Sequence, residues 1–252
     1  MSNQTDVKGT EATNLSSDYV LLSELFLYPH DEAYRKKLTK VQDWLSLYMP
    51  EAALILQPFI QFVEVSRIRE IQELFLRSFD VQAITTLDIG FILFGEDYKR
   101  GKLLVHLNEE HRQAGNNCET ELSDHLPNLL RLLPKMKDST VRNEIATLLI
   151  IPAIEKMVAE FSGEKIEKKD VVYKKHQKVL LDYSPNHRTI YQNCLKAVLF
   201  ILRRDFGSEQ EAGEKNNSAR GCADPNIPGS CEADSGLKDF SQNIETEMLT
   251  EK

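Results

Sequence analysis

Cysteine is scarce and carries no pattern. Four occur, Cys118, Cys194, Cys222 and Cys231, with no Cys-x-x-Cys pair and no nearby histidine to complete a zinc set. A disulfide framework and a common structural zinc site are excluded. Cys194 lies in an apolar helical stretch and reads as a buried small hydrophobe. A reducing compartment would keep Cys222 and Cys231 apart. No run approaches the roughly 18 apolar residues that cross a bilayer. Residues 1–17 are polar and lack a signal-peptide core. A soluble, cytoplasmic protein is the expectation. Phosphate-cradling glycine loops, dinucleotide fingerprints and Gly-x-Ser-x-Gly elbows are also missing, as are hairpin signals and repeats.

A basic excess is lacking too. The 252 residues carry 31 basic and 39 acidic side chains, a net charge of −8. Residues 208–252 hold ten acidic and four basic residues, and the remainder is nearly balanced with 29 and 27. Such a balance argues against nucleic acid or an anionic membrane as main partner and permits a cationic peptide.

What is present is helical periodicity. The pattern predicts helices over 18–28, 31–48, 51–65, 67–79, 98–114, 138–161 and from Pro185 to Gly207. Leu38, Val41, Leu45 and Tyr48 mark one apolar face, and Leu54, Phe59 and Phe62 another. Leu103, Leu104, Leu107 and His111 mark a third, with Gly115 after it as a left-handed cap. Pro152 predicts a kink. Residues 87–94 read equally as helix or strand, and 165–182 are ambiguous. The expected fold class is all-α: a single bundle of about nine helices over 18–207. A flexible arm over 1–17 and a disordered acidic tail over 208–252 flank it, with 237–249 as a possible docking segment.

The most informative stretch is Glu121-Leu122-Ser123-Asp124-His125-Leu126-Pro127, which opens the apolar run from Asn128 to Pro134. Proline fits only a helix's first turn. Ser123 or Asp124 is placed to cap that turn, and a carboxylate suits its positive end. From the residues alone this is a capped helix start with a satisfied histidine beside it.

The same segment resembles the Asp-His-Leu signature of the dedicated maturation chaperones of molybdenum enzymes. It is most similar to the nitrate reductase molybdenum cofactor assembly chaperones, the delta-subunit family. Leu21-Leu22-Ser23-Glu24-Leu25-Phe26-Leu27-Tyr28-Pro29 resembles that family's opening helix. Phe75-Leu76-Arg77-Ser78-Phe79-Asp80 is similar to its aromatic helix end, and Gly95-Glu96-Asp97-Tyr98-Lys99-Arg100-Gly101 to its Gly-Glu…Arg-Gly turn. Order and spacing agree over about residues 18–135 and fade beyond. Ser123 stands where the group usually has proline, and neither the N-terminal arm nor the tail maps onto it.

The resemblance implies an all-helical, non-enzymatic chaperone that uses no cofactor of its own, as monomer or dimer. Its partner would be the N-terminal peptide of a molybdopterin oxidoreductase's catalytic subunit, often a twin-arginine signal with an apolar stretch behind it. Binding would hold the apoenzyme open for cofactor insertion, and the chaperone would then depart. By motif match, Asp124 and His125 would line the peptide groove, with Leu126 and Pro127 shaping its wall. Phe79, Asp80, Tyr98 and Arg100 are further candidates on the same face. Core packing is an equal reading for Phe79 and Leu126, and an internal ion pair or cap for Asp80 and Arg100.

Two alternatives come from other classes. One is a generic helical adaptor. The other is a metal-dependent phosphohydrolase built from Asp124, His125, His106, His111 and Asp182. Those enzymes read histidine before aspartate, the reverse of this chain. His106 and His111, five apart, also diverge around a helix.

Overall fold

Prolines and short polar caps set the helix ends. The computed structural model describes residues 18–81, 83–163 and 187–207. The predicted arm, the ambiguous 165–182 stretch, Asp182, and the tail with its docking segment lie outside the described residues.

Asp18 caps α1 (Tyr19–Ser23) through its carboxylate, which accepts from the Leu21 N–H at 2.9 Å. A 3₁₀ turn (Glu24–Phe26) follows, so the predicted first helix is shorter and tighter at its end. α2 (Ala33–Tyr48) and α3 (Pro50–Val65) are separated by one residue, Met49. Pro50 is the reason, since it disfavours helical geometry at Met49 and is preorganised for a helix start. α4 (Ile68–Phe79), α5 (Ile89–Phe94), α6 (Tyr98–Gln113) and α7 (Leu126–Leu132) follow. The ambiguous 87–94 segment is thus helical from Ile89.

α8 (Ser139–Glu144) continues through a π-helical turn (Ile145–Ile150) into α9 (Ile151–Glu160). The kink that Pro152 predicts takes a different form. The distortion occupies the turn before it, where a proline ring would clash with the carbonyl four residues back. The last helix, α10 (Tyr191–Phe206), starts after the predicted Pro185. Counting α8 to α9 as one rod, nine helices are present among the described residues, with no strand.

The bundle centres on α3, which packs against both α10 and α2, with α9 beside α10. α1 packs on α7, and α5 bridges α9 and α6. Leu38, Val41, Leu45, Phe59, Phe62, Leu103, Leu107 and the Cys194 side chain are buried as the periodicity predicts. Tyr48 and Leu54 are not: both are exposed, Tyr48 at the last residue of α2 beside buried Met49, and Leu54 on the face of α3 opposite the buried Ala52, Leu56, Phe59 and Val63. Phe79 sits in an aromatic cluster, with ring centroids 5.1 Å from Tyr191, 5.3 Å from Phe75 and 6.4 Å from both Phe26 and Phe161. Among the described residues, no helix is long and apolar enough to cross a membrane.

Candidate functional site

Two helix starts are clasped together by backbone. Leu126 N–H donates to the Leu87 carbonyl and Ile89 N–H to the Asp124 carbonyl, both at 2.9 Å, giving an isolated antiparallel bridge between Asp88 and His125. Asp88 precedes α5 and His125 precedes α7. The bridge therefore takes up the first orphan donor of α7, and Pro127 has none to satisfy. No side-chain cap is needed. The predicted capping by Ser123 or Asp124 does not occur: Ser123 Oγ donates to the Leu104 carbonyl, and Asp124 turns inward.

The side chains at this clasp form one chain of charge. His125 Nδ1–H donates to Asp88 Oδ1 at 3.0 Å, and Asp88 Oδ2 accepts from Arg100 Nη2 at 3.0 Å. Arg100 Nε donates at 3.0 Å to Asp124 Oδ2, which also accepts the Gly90 N–H at 3.2 Å. Asp124 is 0 % exposed, and its Oδ1 has no hydrogen-bond partner among the described residues. A Cβ on Gly90 would come within 2.8 Å of Asp124 Oδ2, so only glycine admits the carboxylate here.

These contacts set the charge states. The hydrogen bond from His125 holds Asp88 below its ordinary carboxylate range, against burial and with help from Arg100. Burial pushes the Asp124 carboxyl upward while Arg100 pulls it back. Burial works against the Arg100 charge too, but its bonds to Asp124 and Asp88 overcome this and raise its proton affinity.

A second polar knot braces the loop leading into the clasp. His111 Nε2–H donates to the Ser123 carbonyl at 3.0 Å, and its Nδ1 accepts from Asn116 Nδ2 at 2.8 Å. The ring is thereby neutral. Burial lowers its proton affinity, the Ser123 carbonyl opposes this, and Arg131 and Lys135 reinforce it. The unfolded chain binds a proton near pH 6.5, whereas the folded ring resists it. The stability held by neutral His111 is complete above that value and falls as pH drops from it toward the lower folded value. Urea midpoints at pH 7.5 and 5.5 should differ more for the native chain than for His111→Gln. Equal differences would remove His111 as the source.

Two cavities of about 770 Å³ each flank the clasp. The first runs between the α1–α2 junction and the loop at 118–121, over Phe26, Tyr28, Phe75 and Phe79, and includes Asp88, His125 and Pro127. Six carboxylates line it, against Lys37 and Arg131 as fixed cations. Lys37 is already paired with Glu24 at 2.8 Å. The second lies between residues 83–86, α5 and α9, and includes Arg100.

The structure brings His125, Pro127, Phe79 and Asp80 to the first cavity. Asp124 and Leu126 do not line it. Asp124 is wholly internal, where it positions Arg100, and Leu126 is buried in the core. Arg100 is an internal ion-pair partner that lines the second cavity. Tyr98 is 78 % exposed and lines neither. Within the phosphohydrolase set, His106 is exposed while His111 is committed to Ser123 and Asn116, so the two do not converge. Asp88, Gly90 and Glu119 carry no signal of a site in the sequence, and Glu121 opens the informative stretch without itself being a site candidate. Asp88 sits in the stretch whose periodicity is ambiguous, and nothing local marks it.

The chain matches no protein-family model and no curated protein. What it does therefore rests on its own residues and geometry.

Proposed function

We propose that this protein is a cytoplasmic chaperone for a nitrate-reductase-like molybdoenzyme. It binds the N-terminal region of the catalytic subunit, keeps the apoenzyme competent for molybdenum cofactor insertion, and is absent from the mature enzyme. One observation carries the reading: His125 and Pro127, from the corner that resembles the Asp-His-Leu signature, line an acidic cavity with an aromatic floor. Asp80, Glu119 and Glu121 line that cavity and have no ion-pair partner among the described residues. Unpaired carboxylates select cations, and the aromatic floor offers apolar anchorage.

The test is capture from native lysate with mass spectrometry of the bound proteins. The native chain should recover a molybdopterin-enzyme catalytic subunit, and Glu119→Lys/Glu121→Lys should recover at least about tenfold less, a loss of about 1.4 kcal/mol. If the subunit is expressed and not recovered, the chaperone reading falls. The second reading is a generic adaptor, favoured by the exposed Leu47, Tyr48 and Leu54 around the α2–α3 junction. Recovery of an unrelated protein, lost with Leu47→Glu/Leu54→Glu, would put the adaptor first.

A further inference from the structure

An apolar stripe runs along the outer side of α3. Leu54 is 68 % and Val65 83 % exposed, and Pro58 and Gln61 between them are exposed as well. Positions 54, 58, 61 and 65 follow one another by four, three and four residues. That spacing aligns them on one face of the helix, opposite the buried Ala52, Leu56, Phe59 and Val63. At 1.5 Å per residue the stripe is about 16 Å long. None of the four lines either cavity.

The same spacing occurs at 237–249, outside the described residues. Leu237, Ser241, Ile244 and Met248 also follow by four, three and four, with Phe240 beside Ser241. On a helix these residues share one face, Glu245 and Glu247 flank it, and Asp239 lies behind. Each stripe has three apolar positions and one polar one. Set antiparallel, Leu54 meets Met248, Pro58 meets Ile244, Gln61 meets Ser241 and Val65 meets Leu237. Set parallel, the polar residues fall on apolar ones.

The fold brings the two within reach. The Phe62 ring lies 4.9 Å from His187, and the Phe59 ring 4.9 Å from Tyr191. α10 therefore runs antiparallel to α3, and Gly207 follows it toward the Pro50 end. From there 29 residues, 208–236, lead to Leu237. A coil of that length spans about 30 Å on average, more than the length of the stripe. Tethering holds the segment at a local concentration on the order of millimolar, which a second copy in dilute solution does not match.

We propose that 237–249 docks as a helix, antiparallel, on the Leu54–Val65 stripe of its own chain. The assignment is independent of the chaperone reading, since it uses no residue of either cavity.

Hydrogen exchange of the full chain at low micromolar concentration, read by mass spectrometry, tests it. Amides of 241–249 should exchange at least about tenfold more slowly in the native chain than in Leu54→Glu/Val65→Glu. Both substituted positions are exposed, so circular dichroism should show the bundle intact. Gln61→Glu/Ser241→Glu should lose the protection by repulsion, and Gln61→Lys/Ser241→Glu should restore it. A native chain without protection at 241–249 overturns the proposal. Protection that survives Leu54→Glu/Val65→Glu puts the segment elsewhere and overturns it too. Protection that grows with protein concentration gives the stripe to a second copy, and failure of the charge-reversed pair removes the antiparallel register; either result overturns the proposal as stated. None of these outcomes bears on capture of a molybdoenzyme subunit, so the two readings fail separately.

Discussion

Arg100→Leu is expected to destabilise the fold by about 3–5 kcal/mol, the cost of breaking a buried ion pair from one side. The size follows from what Arg100 leaves behind. Asp124 has no exposed surface, and one of its oxygens is already unpartnered among the described residues. Without the guanidinium, the Gly90 N–H would be its remaining donor there. Asp88 fares better, because it keeps His125. Arg100→Lys should recover little, since a compact ammonium cannot reproduce the Nε and Nη2 contacts to two carboxylates. Urea unfolding followed by circular dichroism measures the loss. The double variant Arg100→Leu/Asp124→Asn should be more stable than Arg100→Leu alone, because asparagine buries no charge. A double variant no better than the single would place the cost somewhere other than the orphaned carboxylate.

Phe79→Ala should cost a similar amount, about 3–5 kcal/mol, by opening a cavity among four aromatic rings. Its 6 % exposure makes it chiefly a core residue, although it also lines both cavities. A functional loss in Phe79→Ala is therefore ambiguous between an altered surface and a weakened fold. Phe79→Leu separates the two: it keeps most of the volume and should cost less than about 1.5 kcal/mol, while removing the aromatic edge that a ligand would meet. If the alanine variant unfolds at the native urea concentration, the cluster contributes much less than its geometry implies.

The all-helical architecture was legible because α2, α3, α4 and α10 each carry a 3.6-residue apolar stripe. The errors have local causes. Tyr48 keeps the period yet faces solvent at the last residue of α2, whereas Leu54, five residues from Phe59, lies off the buried stripe of Ala52, Leu56, Phe59 and Val63. α5 is only six residues long, too short for its period to tell helix from strand. The candidate site was legible only to a degree. His125 and Pro127 lie on a cavity wall, whereas Asp124 faces the interior. A motif gives adjacency along the chain and not the direction in which each side chain points; the bridge to Asp88 decides that, and it pairs residues far apart in sequence. Glu121 opens the stretch that resembles the signature but is not part of the signature, and Glu119 could have been noticed only as an acid with no basic neighbour at helical spacing.

The pairing of α3 with α10 has a consequence for how the protein is made. Phe59 in α3 packs against Tyr191 with ring centroids 4.9 Å apart and planes tilted by 51°, and Tyr19 Oη donates to Asp205 at 2.9 Å. Both partners leave the ribosome long after the residues that need them. While translation proceeds, α2 and α3 can meet, but the surface of α3 that packs on α10 stays uncovered until α10 is synthesised. The nascent chain thus carries an open apolar trough between the synthesis of α3 and that of α10, which is where aggregation competes with folding. Closure of the centre therefore waits for α10, and the hydrogen bond from Tyr19 then latches the earliest described helix onto the last.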